Sequence, residues 1–475
     1  MMRLLLIFTL FLSSSVFAYT QKTFIEQLLA SHDFFEKELI NVKIKKLEME
    51  GDRANYGNWS WDVGAEIAHI HKDKQKYDYT SSTDYSRDTH QNVRKISSDL
   101  SKKFFSNGSE LNFSFDRSLP IKGEQMHDKN GYQKDKNTAE YLNDTSISWT
   151  VPLLKNKSGV IDQKTYDLSV LDYEDERLIL AESQEDFIED KVFEFIDWVG
   201  FKWKIDALEK VIIKLQKIRQ KIENTQAEDV QVLGRFIDKK KRLLLSLKSK
   251  LKAQTGLLSA AIQAVDFSKD VPTLPTQFYV DLIDNIKPYC QAHVRDLQRI
   301  DLELQKNNRY IDTYKNSQLA DFDFTISASI NSNKGNYSSY SKSRENTVET
   351  KLEFSYPLSG NISNQVYLDK YRFKRRQIEL KYEHKLKDIM SAIGKLSVDI
   401  KQGLIQLKLT QQQIKQNKID NELELYFAGR GDVRFAIIEQ EDYQELQLEK
   451  ITLLIDLYKD KLSYNNLLDR LLPYS

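Results

Sequence analysis

Histidines, a single cysteine and an Arg-Gly-Asp tripeptide are the candidates in this chain for metal binding, disulfide formation or adhesion. His69 and His71 alternate within a strand-like stretch, so their imidazoles would share one face and could bind a metal ion. His90 is the nearest further histidine, and no third ligand is evident beside the pair. A polar strand end is therefore favoured over a metal site. Cys290 is the only cysteine, which excludes an intrachain disulfide framework and a cysteine-rich metal site.

Residues 430–432 read Arg-Gly-Asp, the tripeptide of some adhesion proteins. They fall where one helical pattern ends and another begins, and Asp432 stands where a carboxylate can cap the second helix. A turn with a capping residue is the favoured interpretation. No nucleotide-binding loop, nucleophile elbow or zinc motif occurs in the sequence. The sequence therefore predicts a protein that is not an enzyme and has no cofactor.

The charge balance and the N-terminus indicate where the chain acts. Lys plus Arg and Asp plus Glu number 70 each in 475 residues, so net charge gives no indication of nucleic-acid binding. Arg3, an apolar run at residues 4–12 and Ala18 together predict a secretory signal peptide over residues 1–18. No later run of about 18 apolar residues occurs, so no transmembrane helix is expected.

Four stretches have the apolar–polar alternation of two-faced β-strands. The clearest is DFDFTISASI at residues 321–330, and the others lie at residues 59–68, 144–154 and 348–358. Polar loops are predicted at residues 71–92, 119–140 and 331–346. Between the first two strands, residues 93–118 predict either an extra hairpin or extensions of the strands. The predicted apolar faces contain Trp61, Trp149, Phe322, Phe324, Ile326, Leu352 and Phe354.

Each half of the chain also predicts one very long helix and one returning helix. Residues 157–224 and 360–427 each cover about 68 residues, and apolar residues recur every seven positions in the first. The turns after them, AEDVQVLGRF and GRGDVRFAII, align with Asp229 and Val230 against Asp432 and Val433. The sequence thus predicts two repeats, at residues 19–266 and 267–475, each with the order helix, strands, long helix, returning helix.

The predicted strands have the length that crosses a bilayer as tilted β-strands, and their apolar faces would meet lipid. A sheet in hydrocarbon must close because unpaired edges are not tolerated there. Four strands cannot enclose a lumen, so several copies must pool their strands. A secreted coiled-coil surface or adhesin-like protein is the alternative, but such a protein does not need a lipid-facing strand pattern.

Through these strands, helices and turns, the chain resembles the outer-membrane factor (TolC-like outer membrane efflux protein) family. The most specific segment is residues 424–451, in which Tyr426, Gly429, Ile437 and Gln440 match the family pattern. The resemblance implies a mostly helical homotrimer, with a 12-stranded outer-membrane β-barrel continuing into a 12-helix periplasmic tunnel. It also implies a passive, porin-like exit duct for a tripartite efflux or type I secretion system. The partners would be outer-membrane lipid, a periplasmic adaptor (membrane fusion) protein and an inner-membrane pump.

The two helix–helix turns would form the periplasmic tip and its gate. Phe435 and Ile438 stand where the family commonly has acids, and Glu439 replaces a small residue. Closure is therefore expected from apolar packing and arginine–acid pairs instead of a ring of carboxylates. The predicted tip and gate residues are Asp229, Val230, Tyr426, Gly429, Arg430, Asp432, Arg434, Phe435, Ile438 and Glu439.

Overall fold

The computed structural model describes fifteen stretches of the chain. They are residues 19–78, 83–119, 124–127, 133–136, 141–222, 227–262, 267, 272–274, 278, 280–283, 285–334, 343–357, 361–416, 418–428 and 430–472. The predicted signal peptide and Gly429 lie outside the described residues.

Long helices dominate the described chain. The helices are α1 (Gln21–Ser31), α2 (Asp33–Gly57), α3 (Lys164–Ile222), α4 (Ala227–Ala261), α5 (Ile286–His293), α6 (Arg295–Ser317), α7 (Ile362–Lys415), α8 (Ile419–Phe427) and α9 (Val433–Asn466). The strands are β1 (Tyr19–Thr20), β2 (Ser60–Asp78), β3 (Thr83–Phe104), β4 (Ser109–Leu119), β5 (Glu124–His127), β6 (Gln133–Lys136), β7 (Tyr141–Pro152), β8 (Pro272–Thr273), β9 (Asp321–Lys334) and β10 (Ser343–Ser355). No helix in the described part of the chain is long and apolar enough to cross a membrane.

The chain divides into two compact units, and each draws on both predicted repeats. One, the sheet unit, comprises residues 43–175 and 302–380, and the other, the helical unit, comprises residues 1–42, 176–301 and 381–475. The boundaries fall inside α2, α3, α6 and α7. If the two repeats are intertwined, each contributes to both units. The division into units therefore does not test the predicted repeat boundaries, which stay a prediction.

One antiparallel sheet forms the centre of the sheet unit. Its long strands lie in the order β10-β9-β7-β4-β3-β2, and the short strands β5 and β6 extend from one end of β3. The residues between the first two predicted strands thus add two further strands, β3 and β4, to the sheet itself. The described part of the chain has six long strands, whereas the apolar–polar alternation predicted four and the family resemblance implied a 12-stranded trimer.

The predicted loops are shorter than expected, because the strands run into polar sequence. The pairing of β2 with β3 extends as far as Asp78, which lies opposite Thr83. Most of residues 71–92 is therefore strand and not loop. β5 and β6 lie within residues 119–140, and β9 and β10 reach Lys334 and Ser343. Alternation reports which face is apolar, whereas backbone hydrogen bonding continues through residues that are polar on both faces. The sequence pattern therefore underestimates strand length.

In the helical unit, apolar residues spaced seven positions apart pack into a core. Leu208, Leu215 and Ile222 of α3 are fully buried or nearly so, and they pack with Ile237 of α4. The long helices start and stop differently from the prediction. α3 begins at Lys164, after a 3₁₀ turn at Lys157–Gly159, and the second predicted long helix corresponds to α7, which ends at Lys415, and α8, which begins at Ile419. Local backbone geometry determines where a helix starts and stops, and heptad spacing does not predict that geometry.

Stacked tyrosines join α6 to α7 within the sheet unit. The rings of Tyr310 and Tyr371 are parallel with centroids 4.6 Å apart, and those of Tyr314 and Tyr367 lie 5.2 Å apart. Lys306 of α6 also bonds Asp172 of α3 at 2.7 Å. These contacts fix the helix ends that carry the sheet.

Candidate functional site

The strand register brings the apolar positions of all six long strands onto one face. One row of directly opposed residues crosses the sheet and contains, in order, Trp61, Leu100, Phe113, Ile147, Ala328 and Val348. Every member of this row is apolar. Opposed residues in an antiparallel pair lie on the same face, so the apolar positions read from separate segments form one continuous surface.

This apolar face is left uncovered in a single chain. Ile67 on β2 is 84 % exposed and Val348 on β10 is 77 % exposed, and Ile326 in the middle of the sheet is 39 % exposed. The seven residues predicted for this face all lie on it: Trp61, Trp149, Phe322, Phe324, Ile326, Leu352 and Phe354. Apolar patches of this extent are unusual on a water-soluble monomer and mark a surface that meets another apolar phase or partner.

The opposite face of the sheet is polar and mostly acidic. In the part of the six strands whose side chains are described, it carries eleven carboxylates and three lysines. The carboxylates are Asp62, Glu66, Asp99, Glu110, Asp116, Asp144, Asp321, Asp323, Glu345, Glu349 and Glu353, and the lysines are Lys95, Lys103 and Lys351. Each lysine pairs with a carboxylate of the same face, for example Lys95 with Asp116 at 3.1 Å. The remaining acids give this face a negative field that attracts cations.

Contacts between the two helix–helix turns bring the predicted tip residues together. The hydroxyl of Tyr426 on α8 donates to Asp229 Oδ2 on α4 at 3.0 Å. The guanidinium of Arg434 on α9 lies 3.1 Å from Glu228 Oε1, and both side chains are mostly exposed. Val433 is buried in the core that also contacts Val230. The turn of the second half is thus fastened to the turn of the first by two polar links and an apolar contact.

The Arg-Gly-Asp tripeptide forms a turn, as the capping interpretation predicted. Asp432 is the N-cap of α9, and its Oδ1 accepts a hydrogen bond from the backbone N–H of Arg434 at 2.8 Å. The N–H of Arg430 donates to the carbonyl oxygen of Leu425 at 2.9 Å and closes the preceding helix. Capping by a carboxylate satisfies an otherwise unpaired donor of the first helical turn.

Phe435 and Ile438 point outward from the first turn of α9. Their side chains are 59 % and 53 % exposed, and Glu439 beside them is half-buried. The apolar closure predicted for these residues is therefore not made within one chain. Packing of Phe435 and Ile438 would require a second molecule.

Sequence reasoning missed the acidic partners of this region. Glu441 on α9 lies 2.8 Å from Lys239 and 3.4 Å from Lys240, both on α4. Glu228, which pairs with Arg434, belongs to the same missed set. Alignment of the two turns gives the correspondence of Asp229 with Asp432, but it does not show which residues meet across the turns.

A buried charged cluster also escaped prediction, because its members are far apart in sequence. Arg295 lies 2.7 Å from Glu185 and within 4 Å of Glu182 and Asp469, and its backbone N–H donates to Asp469. One guanidinium faces three carboxylates. Burial and the neighbouring acids, Asp469 first, raise the pKa of Glu182 to about 8 despite Arg295. Glu182 is thus mostly protonated at neutral pH.

The histidines have a defined backbone register. His71 lies opposite His90, and His69 lies opposite Asn92, in the pairing of β2 with β3. Across the residues that the structure describes, no group of three or more His, Cys, Asp or Glu side chains could hold a metal ion.

Comparison with solved structures identifies the fold. The chain superposes on CusC, a protein that forms a transmembrane channel, with a TM-score of 0.61 at 10% identity, covering 94% of this chain and 91% of CusC. The outer membrane protein VceC of Vibrio cholerae gives 0.58 at 9% identity, covering 94% and 96%. The CmeC outer membrane channel of Campylobacter jejuni gives 0.56 at 10% identity, covering 95% and 85%.

Sequence comparison adds nothing to this result. No protein-family model matches the chain, and no curated protein matches it. The likeness therefore lies in the fold, a mostly helical chain with an antiparallel sheet. The resemblance drawn from the sequence is confirmed at this level: the chain shares the fold of CusC, VceC and CmeC.

Proposed function

We propose that this protein is a passive exit channel of the outer membrane. Copies of the chain, three by the family resemblance, would close their sheets into a β-barrel and line a tunnel with twelve helices. The observation that carries the proposal is the row of six apolar residues that crosses the sheet from Trp61 to Val348, opposite a polar face. Lipid outside and water inside would match the two faces of this sheet.

The channel would belong to a tripartite efflux or type I secretion system. The proteins with this fold include the CmeC outer membrane channel and the outer membrane protein VceC, and the sequence has no nucleotide site to supply energy. A periplasmic adaptor and an inner-membrane pump would supply the energy and the cargo. They would dock at the two helix–helix turns, where Arg434 and Glu228 expose charged groups.

The turns would also hold the channel closed at rest. The Tyr426–Asp229 hydrogen bond and the Arg434–Glu228 pair tie α8 and α9 to α4, so outward movement of the second-half helices must break both. A hydrogen bond to a charged group contributes about 1.5–3 kcal/mol and an exposed pair about 0–1 kcal/mol. In a trimer these small contributions would occur three times and sum to a larger barrier to opening. Exposed Phe435 and Ile438 would pack between copies.

Conductance in planar bilayers tests the channel and its gate together. We expect the purified protein to come from outer-membrane fractions as a trimer and to insert as a low-conductance channel. Tyr426→Phe combined with Arg434→Gln should raise the conductance or open probability severalfold, since both polar links are lost. Lys248→Gln is the matched control, because it breaks an exposed α3–α4 pair with Glu209, at 2.7 Å, outside the turns. A protein without any bilayer conductance would contradict the proposal. If the double variant and the parent conduct equally, the gate assignment is wrong and the channel proposal stands.

The secreted coiled-coil alternative is less consistent with the sheet. A coiled coil explains the seven-residue spacing of α3 and α4, but it gives no reason for six strands with one apolar face. Such a protein would be released as a soluble species with this face covered by a partner.

A further inference from the structure

We propose that each copy of this chain contributes six strands to the barrel wall, with the free edge of β2 pairing with the free edge of β10 in the next copy. A trimer would then have an 18-stranded barrel, in place of the 12-stranded one that four strands per chain would give. The inference rests on the proposed channel function and concerns how wide the channel is.

The hairpin of β3 and β4 has the design of wall strands. Leu100 and Phe113 stand in the apolar row, and Ile96 and Phe115 lie on the same face with 45 % and 39 % exposure. The residues between these positions, such as Asp99, are polar and belong to the opposite face. In a hairpin that folded into the lumen or out into water, an exposed apolar face in register with the neighbouring strands would be unfavourable.

The turn of this hairpin is fixed at the end of the sheet from which α3 starts. Gln163 at the start of α3 donates its side-chain N–H to the carbonyl oxygen of Phe105. Gly159 approaches the same carbonyl so closely that a Cβ there would lie 2.0 Å from the oxygen, and its φ is +66°. Gly108 closes the turn at φ +69°, with room for no Cβ against Asn156. The turn between β3 and β4 is therefore held against the segment that leads into α3.

The two edges of the sheet fit a second copy of the chain. Among the described strands, β2 pairs only with β3 and β10 pairs only with β9. Five antiparallel pairings separate β2 from β10, so they run in opposite directions. The β2 edge of one copy can therefore meet the β10 edge of another as a regular antiparallel pair. The edge strands also carry the most exposed apolar residues, including Ile67 and Val348.

The sheet must be closed by several copies of the chain because the bilayer interior offers no water to the strand edges. Unpaired strand edges are not tolerated in hydrocarbon, and six strands are too few to surround a lumen. An interface between two different edges of the same chain generates a ring when the rotation closes. Because barrel diameter grows roughly linearly with strand number, the 18-stranded barrel would be about 1.5 times as wide as a 12-stranded one.

Electron cryo-microscopy of the full-length protein in lipid nanodiscs tests the inference directly. We expect a cross-section through the membrane to show 18 strands. A closed ring of 12 strands, with the hairpin of β3 and β4 outside the wall, would overturn the inference and leave the channel function standing. Particles with open sheets and no ring would overturn both.

Disulfide formation in intact cells gives a second, independent measurement. Phe113→Cys with Ile147→Cys should cross-link within the chain, because these residues are directly opposed on β4 and β7. Val63→Cys with Ile147→Cys should not, since β3 and β4 separate the two strands. Val63→Cys combined in turn with Val348→Cys, Thr350→Cys or Leu352→Cys should link copies for at least one register. Efficient β2–β7 cross-linking without the β4–β7 product would refute the six-strand wall.

Discussion

Substitution of Ile326 by arginine is the sharpest test of which face of the sheet meets lipid. Ile326 lies in the middle of the apolar run of β9, four residues from both Phe322 and Ile330, and opposite Trp149 and Thr350. At about 3.3 Å per residue and a tilt near 40°, this run covers roughly 20 Å along the membrane normal. The apolar band of an outer-membrane barrel is about 25 Å tall, so Ile326 would lie near the midplane.

The expected cost follows from that depth. Arginine at the midplane of a lipid-facing strand costs about 2–4 kcal/mol, which is roughly a 30- to 900-fold change in a folding equilibrium. The matched control is Ser327→Arg, one residue further along and on the polar face. There the new side chain would lie opposite Ser148 and Glu349, and the change should stay within about 0.5 kcal/mol. Ser327 is preferred over Thr325, whose hydroxyl contacts that of Thr150 at 3.1 Å.

The assay is the yield of folded trimer in outer-membrane fractions, read on unheated gels, together with denaturant midpoints in lipid vesicles. Ile326→Arg should lose most of the trimer and lower the midpoint, whereas Ser327→Arg should resemble the parent. Equal loss in the two variants, or a greater loss for Ser327→Arg, would refute the assigned orientation of the sheet.

Three further changes test other parts of the structure. Because the pKa of Glu182 is raised to about 8, the folded protein holds a proton that the unfolded chain releases above about pH 4.5, so stability should fall as the pH rises from about 4.5 to 8. Glu182→Gln should flatten this profile in thermal unfolding followed by circular dichroism; a flat parent profile would contradict the assignment. Asp144→Asn with Glu349→Gln, two acids of the polar face outside its lysine pairs, should weaken the cation selectivity that the acidic face predicts, seen as a smaller reversal potential across a KCl gradient; an unchanged potential would place these acids away from the pore. Gly159→Ala should destabilise the sheet unit by about 1–3 kcal/mol in denaturant titrations, whereas Gly256→Ala, with nothing within 4 Å, should not; a neutral Gly159→Ala would show that the hairpin turn is not fixed at Phe105.

Much of the sheet could be predicted because strand alternation is a local property. Phe322, Phe324 and Ile326 share a face through the geometry of the strand itself, and the register then joined that face to Trp149 and Trp61 as expected. The strand ends could not be predicted, since polar residues beyond the apolar band pair through their backbones without any pattern in the side chains.

The candidate gate was only half predictable. Asp432 could be assigned as a cap from its position alone, because capping is an interaction between near neighbours in sequence. The partners of Tyr426 and Arg434 lie about 200 residues away, and no sequence periodicity encodes which of several acids each will meet. The cluster around Arg295 is the extreme case, because three chain segments contribute to it.

The two-faced strands, the heptad helices and the matching turns could be predicted from the sequence, because each depends on spacing between residues close along the chain. The fold was needed to show that the inserted residues form two more strands of the same sheet, with their turn held against Gly159 and Gln163. Strand order and register arise from pairing between distant segments, and the residues 93–118 were compatible with an extra hairpin or with longer strands. That choice required the hydrogen bonds that β4 makes with β3 on one side and with β7 on the other.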